Sequence, residues 1–292
     1  MSEKRYFAVI EAGGTKFNCA IVDAERHIYV QTRIATTTPD ETLGLCIEFF
    51  KQQRQLYPFS QLGLACFGPL DLAPRSTTFG YITATPKPLW SHTAVLTRLQ
   101  QALDCEVRID TDVNAAALAE YRWGAAQQTD VSVYITIGTG VGGGVIVHGQ
   151  PLHGLVHPEI GHMLIPAPEG VIGCCPFHGN CVEGLASGTA MAHIWQQAAE
   201  TLADEHPAWQ LQADIVGRLC HNLLLTYSPQ KIILGGGVMA KPGLLDKVIL
   251  ATEASLAAYI SLPYGVEMAN IISLPGLGSH SGLFGALALL VE

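Results

Sequence analysis

Charge is scarce in this chain: only 14% of its 292 residues are Asp, Glu, Lys or Arg, and basic groups are the scarcer kind, 16 against 25 acidic. The formal charge of −9 is opposite in sign to the footprint of a nucleic-acid binder, so no nucleic-acid partner is expected. Long apolar runs are missing too. None approaches the ~18 residues needed to cross a bilayer, and the stretch Tyr6 to Ile10 meets a charge at Glu11 too soon for a signal peptide. A cytoplasmic location without a membrane partner is the expectation. Eight cysteines, at 19, 46, 66, 105, 174, 175, 181 and 220, are too few for a disulfide scaffold. What the chain does have is apolar bulk: 49% hydrophobic residues exclude disorder. At ~150 residues per domain, the length corresponds to about two domains, each able to bury a core.

Periodicity gives two similar halves. In the first, strands are expected at 6–10 and 18–23 around a glycine turn, then a helix over 41–57, a strand at 62–67 ending in Gly68-Pro69, a helix over 92–103 and a strand at 107–109. The alanine-rich run 115–123 reads as a hinge helix. In the second half, strands at 131–137 and 145–147 again flank a glycine turn. A Cys/His loop at 157–181 follows, then helices over 185–203 and 211–227, a strand at 232–234 and helices over 242–260 and 282–290. The repeated hairpin with a Gly/Thr turn is a weak internal repeat. Two α/β domains with a cleft between them are expected.

The two turns are Glu11-Ala12-Gly13-Gly14-Thr15-Lys16 and Gly138-Thr139-Gly140-Val141-Gly142-Gly143-Gly144. Glycine lets backbone N–H groups converge on an anion, and threonine adds a donor, so such turns can cradle phosphate; they can equally be plain tight hairpins. Gly138, Gly140 and Gly143 also fit a dinucleotide fingerprint, with Glu159 about 20 residues on. That fingerprint must open a helix, whereas Val145-Ile146-Val147 continues as strand. No glycine run ends in the Gly-Lys-Ser/Thr of a P-loop.

Asp110-Thr111-Asp112-Val113-Asn114 lies between a strand and the hinge helix. Asp112 or Asn114 is either an N-cap or, for Asp112, a carboxylate that orients an alcohol and takes its proton late in a loose phosphoryl transfer. Cys175, His178 and Cys181 have the spacing of a tight metal-binding turn, and His162 can return to complete a tetrahedral Cys2His2 set suited to structural zinc. Buried free thiols are the alternative, and Cys174 competes with Cys175 as ligand. Glu159 and Glu183 flank this segment, either as sugar-hydroxyl acceptors or as surface charges.

Together with Phe67-Gly68-Pro69-Leu70, His157-Pro158-Glu159-Ile160-Gly161-His162 and Leu234-Gly235-Gly236-Gly237-Val238, these pieces resemble the ROK sugar kinases, in particular their fructokinase branch. The resemblance covers nearly the whole chain in order. It implies a two-domain actin-like ATPase fold of the ribonuclease H-like/hexokinase type, with 1–118 plus 279–292 as the first domain and 119–278 as the second, and ATP·Mg²⁺ bound in the interdomain cleft. The implied roles are a general base at Asp112; sugar contacts at Asn114, Glu159, His162, Glu183, Gly68 and Pro69; phosphate contacts at Gly13, Gly14, Thr15, Lys16, Gly138, Thr139 and Gly140; adenosine near Gly236 and Gly237; Mg²⁺ held through water by Glu11; and Zn²⁺ on His162, Cys175, His178 and Cys181. The implied activity is ATP-dependent phosphorylation of fructose at the 6-hydroxyl. Glucose, mannose or an N-acylhexosamine on the same scaffold, and a sugar sensor without catalysis, are the alternatives. Thr111 stands where many relatives have Asn, and the Cys/His cluster departs from their three-cysteine Cys-x-Cys-Gly-x-x-Gly-Cys form; both departures resemble the fructokinase variant. Repressors in the family add an N-terminal helix-turn-helix, for which Glu11 stands too early. A homodimer is expected by family analogy only.

Overall fold

The computed structural model describes residues 4–291 and divides into two compact units. The first runs up to Arg122 and includes Pro151–His157 and the end of the chain from His280; the second is Trp123–Gln150 with Pro158–Ser279. The boundaries expected at 118/119 and 278/279 therefore fall at 122/123 and 279/280, and 151–157 belongs with the first unit rather than the second. Residues 1–3 and 292 of the expected first domain lie outside the described residues.

The first unit contains β1 (Tyr6–Ala12), β2 (Lys16–Asp23), β3 (Ile28–Ala35), α1 (Pro39–Gln53), β4 (Gln61–Cys66), α2 (Val95–Leu103), β5 (Glu106–Thr111) and α3 (Asp112–Trp123), whose last residue passes to the second unit. Its sheet order is β3-β2-β1-β4-β5, with β1–β2 and β2–β3 antiparallel and β1–β4 and β4–β5 parallel. The central strands β1, β2 and β4 are buried almost throughout, as strands covered on both faces are. Half-exposed β3 has no clean alternation, which hid it from sequence reading. Helix α1 starts where Thr38 accepts the Glu41 N–H and Pro39 occupies the first turn. Under the sheet, Phe17, Phe67 and Trp90 pack ring against ring, and the Trp90 indole donates to the Thr37 carbonyl at 2.8 Å.

The second unit contains β6 (Val131–Ile137), β7 (Val141–Val147), β8 (Gln150–Pro151), whose last residue passes to the first unit, α4 (Val182–Ala186), α5 (Gly188–Trp195), α6 (Ala208–Tyr227), β9 (Lys231–Gly235), α7 (Leu244–Leu256), α8 (Met268–Ile271) and β10 (Ile272–Ser273). The sheet order β10-β9-β6-β7-β8 reproduces the first unit strand for strand, with the hairpin antiparallel and the added strands parallel. The weak sequence repeat is thus a repeated topology. The helix expected over 185–203 is instead α4 and α5. Ser187 takes an extended conformation between them and caps α5 by accepting the Ala190 N–H at 3.0 Å, and α5 ends at left-handed Gln196.

The last helix, α9 (Ser281–Ala288), belongs to the first unit. Glycines let it approach closely: a Cβ on Gly63 of β4 would strike the Ala286 carbonyl, and one on Gly285 would meet the Ala115 backbone at 2.5 Å. Arg122 ties down its end by donating to the Ala288 carbonyl at 2.6 Å.

Candidate active site and metal centre

In the first unit, β5 ends in Asp110 and Thr111, and α3 opens with Asp112 and carries Asn114 in its first turn. Asp110 Oδ1 accepts the Thr111 N–H at 2.7 Å and the Asn114 amide at 2.8 Å. The helix cap is Thr111, whose hydroxyl oxygen accepts the Asn114 N–H at 3.1 Å. The cap offered by sequence to Asp112 or Asn114 is taken by the residue before them, and Asp112 is left for other work. Its Oδ1 accepts the adjacent Val113 N–H at 3.0 Å. Burial, and then the like charge of Glu11, push the Asp112 carboxyl up to about 6. Asn114 is fully buried, with no partner for Oδ1 among the described residues. Asn114, expected as a sugar contact, holds Asp110 through its amide.

Glu11, near the end of β1, accepts the Asn18 amide on Oε2 at 2.7 Å. Its other oxygen lies against Gly282 at the start of α9, where a Cβ would collide with it. In the following turn, Gly13 N–H donates to the Lys16 carbonyl, Thr36 Oγ donates to the Gly13 carbonyl and Thr36 N–H to the Thr15 carbonyl. Gly14, Thr15 and Lys16 are exposed at its tip. Gly68 and Pro69, joined by a cis peptide, follow β4; the next N–H, of Leu70, donates to His157 Nε2 at 3.0 Å. His153 Nε2 lies 3.0 Å from Asp110 Oδ2. Sequence reading passed over Asp110, His153 and His157 because each matters through a partner distant in the chain.

In the second unit, Glu183 Oε2 accepts the Val141 N–H at 3.0 Å, just past the turn of Gly138, Thr139 and Gly140. A Cβ on Gly140 would lie 2.6 Å from that carboxylate oxygen. A cavity of about 980 Å³ is lined by Gly138, Thr139, Gly188, Thr189, Trp209 and Gly237, among others. Gly188 N–H donates to the Gly138 carbonyl and Thr189 Oγ to the Thr139 carbonyl, so the N-terminus of α5 is tied to the glycine turn. Lys241 closes one wall, paired with Asp204 and lying 4.8 Å over the Trp209 ring. Gly236 turns with φ +90°, beside the Ile137 backbone, and sets Gly237 at the cavity. Gly188, Thr189, Trp209, Asp204 and Lys241 went unread in the sequence. The Ser187 cap before Gly188 was the available signal.

His162, Cys175, His178 and Cys181 offer four ligand atoms within 4.8 Å of one another, and Cys174 is not among them. His162 Nδ1 is 3.8 Å from Cys175 Sγ and 3.7 Å from Cys181 Sγ, and His178 Nδ1 is 3.8 Å from Cys175 Sγ. Bonds of zinc length to S and N at the tetrahedral angle put those atoms about 3.6 Å apart, so the set fits Zn²⁺. With Nδ1 facing the metal position, His162 turns Nε2 toward Glu183 Oε1, 4.0 Å away. The 160–162 turn packs so tightly on β7 that a Cβ on Gly161 would run into the Val141 carbonyl. Glu159, exposed, caps that turn with its carbonyl, which accepts the His162 N–H.

A family model described as the ROK family matches residues 7–292. The chain belongs to the ROK family. Among its relatives, a fructokinase of Zymomonas mobilis is 45% identical over 99% of this chain and 97% of its own, and one of Lactococcus lactis is 40% identical over 92% and 91%. Solved structures share the fold: a ROK hexokinase of Thermus thermophilus has a TM-score of 0.77 at 24% identity, covering 98% of this chain and 97% of its own. A ROK glucokinase of Streptomyces griseus in complex with glucose and AMPPNP has 0.76 at 24%, covering 97% and 98%. The ROK fold class expected from sequence, an actin-like ATPase built of two mixed-sheet α/β units, is the one found.

Proposed function

We propose that this ROK protein transfers the γ-phosphoryl group of ATP to the 6-hydroxyl of fructose, giving fructose 6-phosphate. The observation that carries the reading is Asp112: a carboxylate relieved of capping by Thr111 and raised to about 6, close to neutrality, where a general base is most effective. Full-length relatives named fructokinase, 40–45% identical, supply the substrate class.

In the proposed reaction, Asp112 accepts a hydrogen bond from the sugar hydroxyl, aims its oxygen at the γ-phosphorus and takes the proton as the P–O bond forms and ADP leaves. The N–H groups around Gly13–Lys16 and Gly138–Gly140 receive phosphate oxygens, and the N-terminus of α5 at Gly188 and Thr189 adds its dipole. Trp209 and Gly237 line the cavity that takes the nucleoside. Glu159, His162 through Nε2, Glu183 and the Gly68-Pro69 turn receive sugar hydroxyls.

Burial raises the Asp112 carboxyl most and the like charge of Glu11 adds to it; the two carboxylates suit a nearby cation, and Glu11 would hold Mg²⁺ through water. Bound there, Mg²⁺ neutralises phosphate charge. His162, Cys175, His178 and Cys181 would hold Zn²⁺ as four protein ligands, the set of a structural site, and would so fix the loop that carries Glu159 and the His162 ring.

The test is a panel of fructose, glucose, mannose and N-acetylglucosamine with ATP and Mg²⁺ and coupled ADP detection. Fructose is expected to give the highest kcat/KM. A higher value for another sugar would reassign the substrate, and nucleotide and sugar binding without ADP formation would make the protein a sensor.

A further inference from the structure

His153 has no part in the transfer just described, yet the first unit builds it in. The segment Pro151–His157 is held by two imidazoles. His153 sits on Asp110, with Nε2 3.0 Å from Oδ2, and His157 Nε2 accepts the Leu70 N–H at 3.0 Å. The first anchor is two residues before Asp112, about 6–7 Å along an extended strand; the second adjoins Gly68 and Pro69. The segment is therefore strung between the strand end that carries the base and a turn assigned to sugar contact.

The His153 ring is 43% exposed, and its Nδ1 has no partner among the described residues. The hydrogen bond to Asp110 is the main cause that raises the imidazole above its ordinary value, favouring the doubly protonated ring. Asp110 is itself fixed by the Asn114 amide and the Thr111 N–H, so the ring is oriented from behind. One N–H points into a carboxylate, and the other is a charged donor left for a ligand oxygen.

We propose that His153 is a specificity-determining sugar-binding residue: it donates Nδ1–H to a hydroxyl of the ketohexose while its Nε2–H stays on Asp110. The proposal rests on the phosphoryl-transfer reading above. A charge-assisted hydrogen bond is stronger than a neutral one, and a site built to bond one hydroxyl discriminates against sugars that place none there.

Two variants separate ligand binding from anchoring. The amide of Gln falls near the position of Nε2 and that of Asn near Nδ1. His153→Gln thus keeps the link to Asp110 and loses the second donor, and His153→Asn does the reverse. Calorimetric titration of the nucleotide-free, zinc-loaded protein with fructose, and kcat/KM for fructose, mannose and glucose, give the readouts. Expected for His153→Gln are about tenfold weaker fructose binding, a fructose-to-mannose preference changed by a similar factor, unchanged KM for ATP, and a thermal midpoint within about 1 °C of wild type. Wild-type fructose affinity and sugar ratio in His153→Gln, with losses confined to His153→Asn, would make His153 an anchor only and overturn the proposal. If the wild-type protein fails to bind or phosphorylate fructose, the fructokinase reading itself falls, and the proposal for a ketohexose falls with it.

Discussion

Replacing Asp112 by Asn should make the protein more stable and almost inactive at the same time. The native carboxyl titrates at about 6 against an ordinary 3.8, and about two pH units correspond to about 3 kcal/mol. The sign follows from proton counting. Between about pH 4 and 6 the native state holds more protons on this group than the unfolded chain does, so its contribution to stability falls as pH rises through that window. At pH 7 the ionised group opposes folding by up to about 3 kcal/mol, and a neutral amide of the same shape removes that opposition. Activity should fall about 10²- to 10⁴-fold through loss of the base, with sugar and nucleotide affinity close to wild type. The assay is a pair of urea midpoints, wild type against Asp112→Asn, followed by one probe at pH 4 and pH 7, beside coupled ADP release. The variant's advantage should be near zero at pH 4 and largest at pH 7. Near-normal turnover, or no stability gain at pH 7, would refute the argument that a strained, ionised carboxylate does the chemistry.

The same titration should appear in kinetics: with a pKa of about 6 only about a tenth of Asp112 is ionised at pH 5, so kcat/KM should drop about tenfold from its plateau. Glu11→Gln, which removes the like charge, should move that acid limb to lower pH; a limb that stays put would leave burial as the sole cause. About one Zn²⁺ per chain should survive dialysis. Its removal by chelator at elevated temperature should lower both the thermal midpoint and activity, and metal-free protein with full activity would contradict a structural role. Gly140→Ala should displace the Glu183 carboxylate, 2.6 Å from the new Cβ. The sugar KM should rise while stability falls only by about 1 kcal/mol, the worth of one hydrogen bond; an unchanged KM would take Glu183 out of sugar binding.

Much of the architecture was legible because its signals are local. The glycine turns, the parallel strands and the spacing of Cys175, His178 and Cys181 each lie within a few residues, and the candidate metal ligands His162, Cys175, His178 and Cys181 lie together as expected. Other features were misread because a neighbour captured the role. Thr111 took the cap that Asp112 or Asn114 might have filled, and Ser187 broke a run that periodicity alone joins. Half-exposed β3 was missed because a strand without one buried face carries no period.

The amino-acid order by itself determined the family, the doubled hairpin and the residue types available for phosphate, sugar and metal, since these depend on spacing along the chain. Tertiary structure alone decided where those groups stand and what surrounds them. It placed Glu11 near enough to raise Asp112, buried Asn114 behind Asp110, and brought His153 across 43 residues to the same carboxylate. Burial and charge proximity set a side chain's protonation and its free hydrogen-bonding atoms, and both arise only when distant segments pack together.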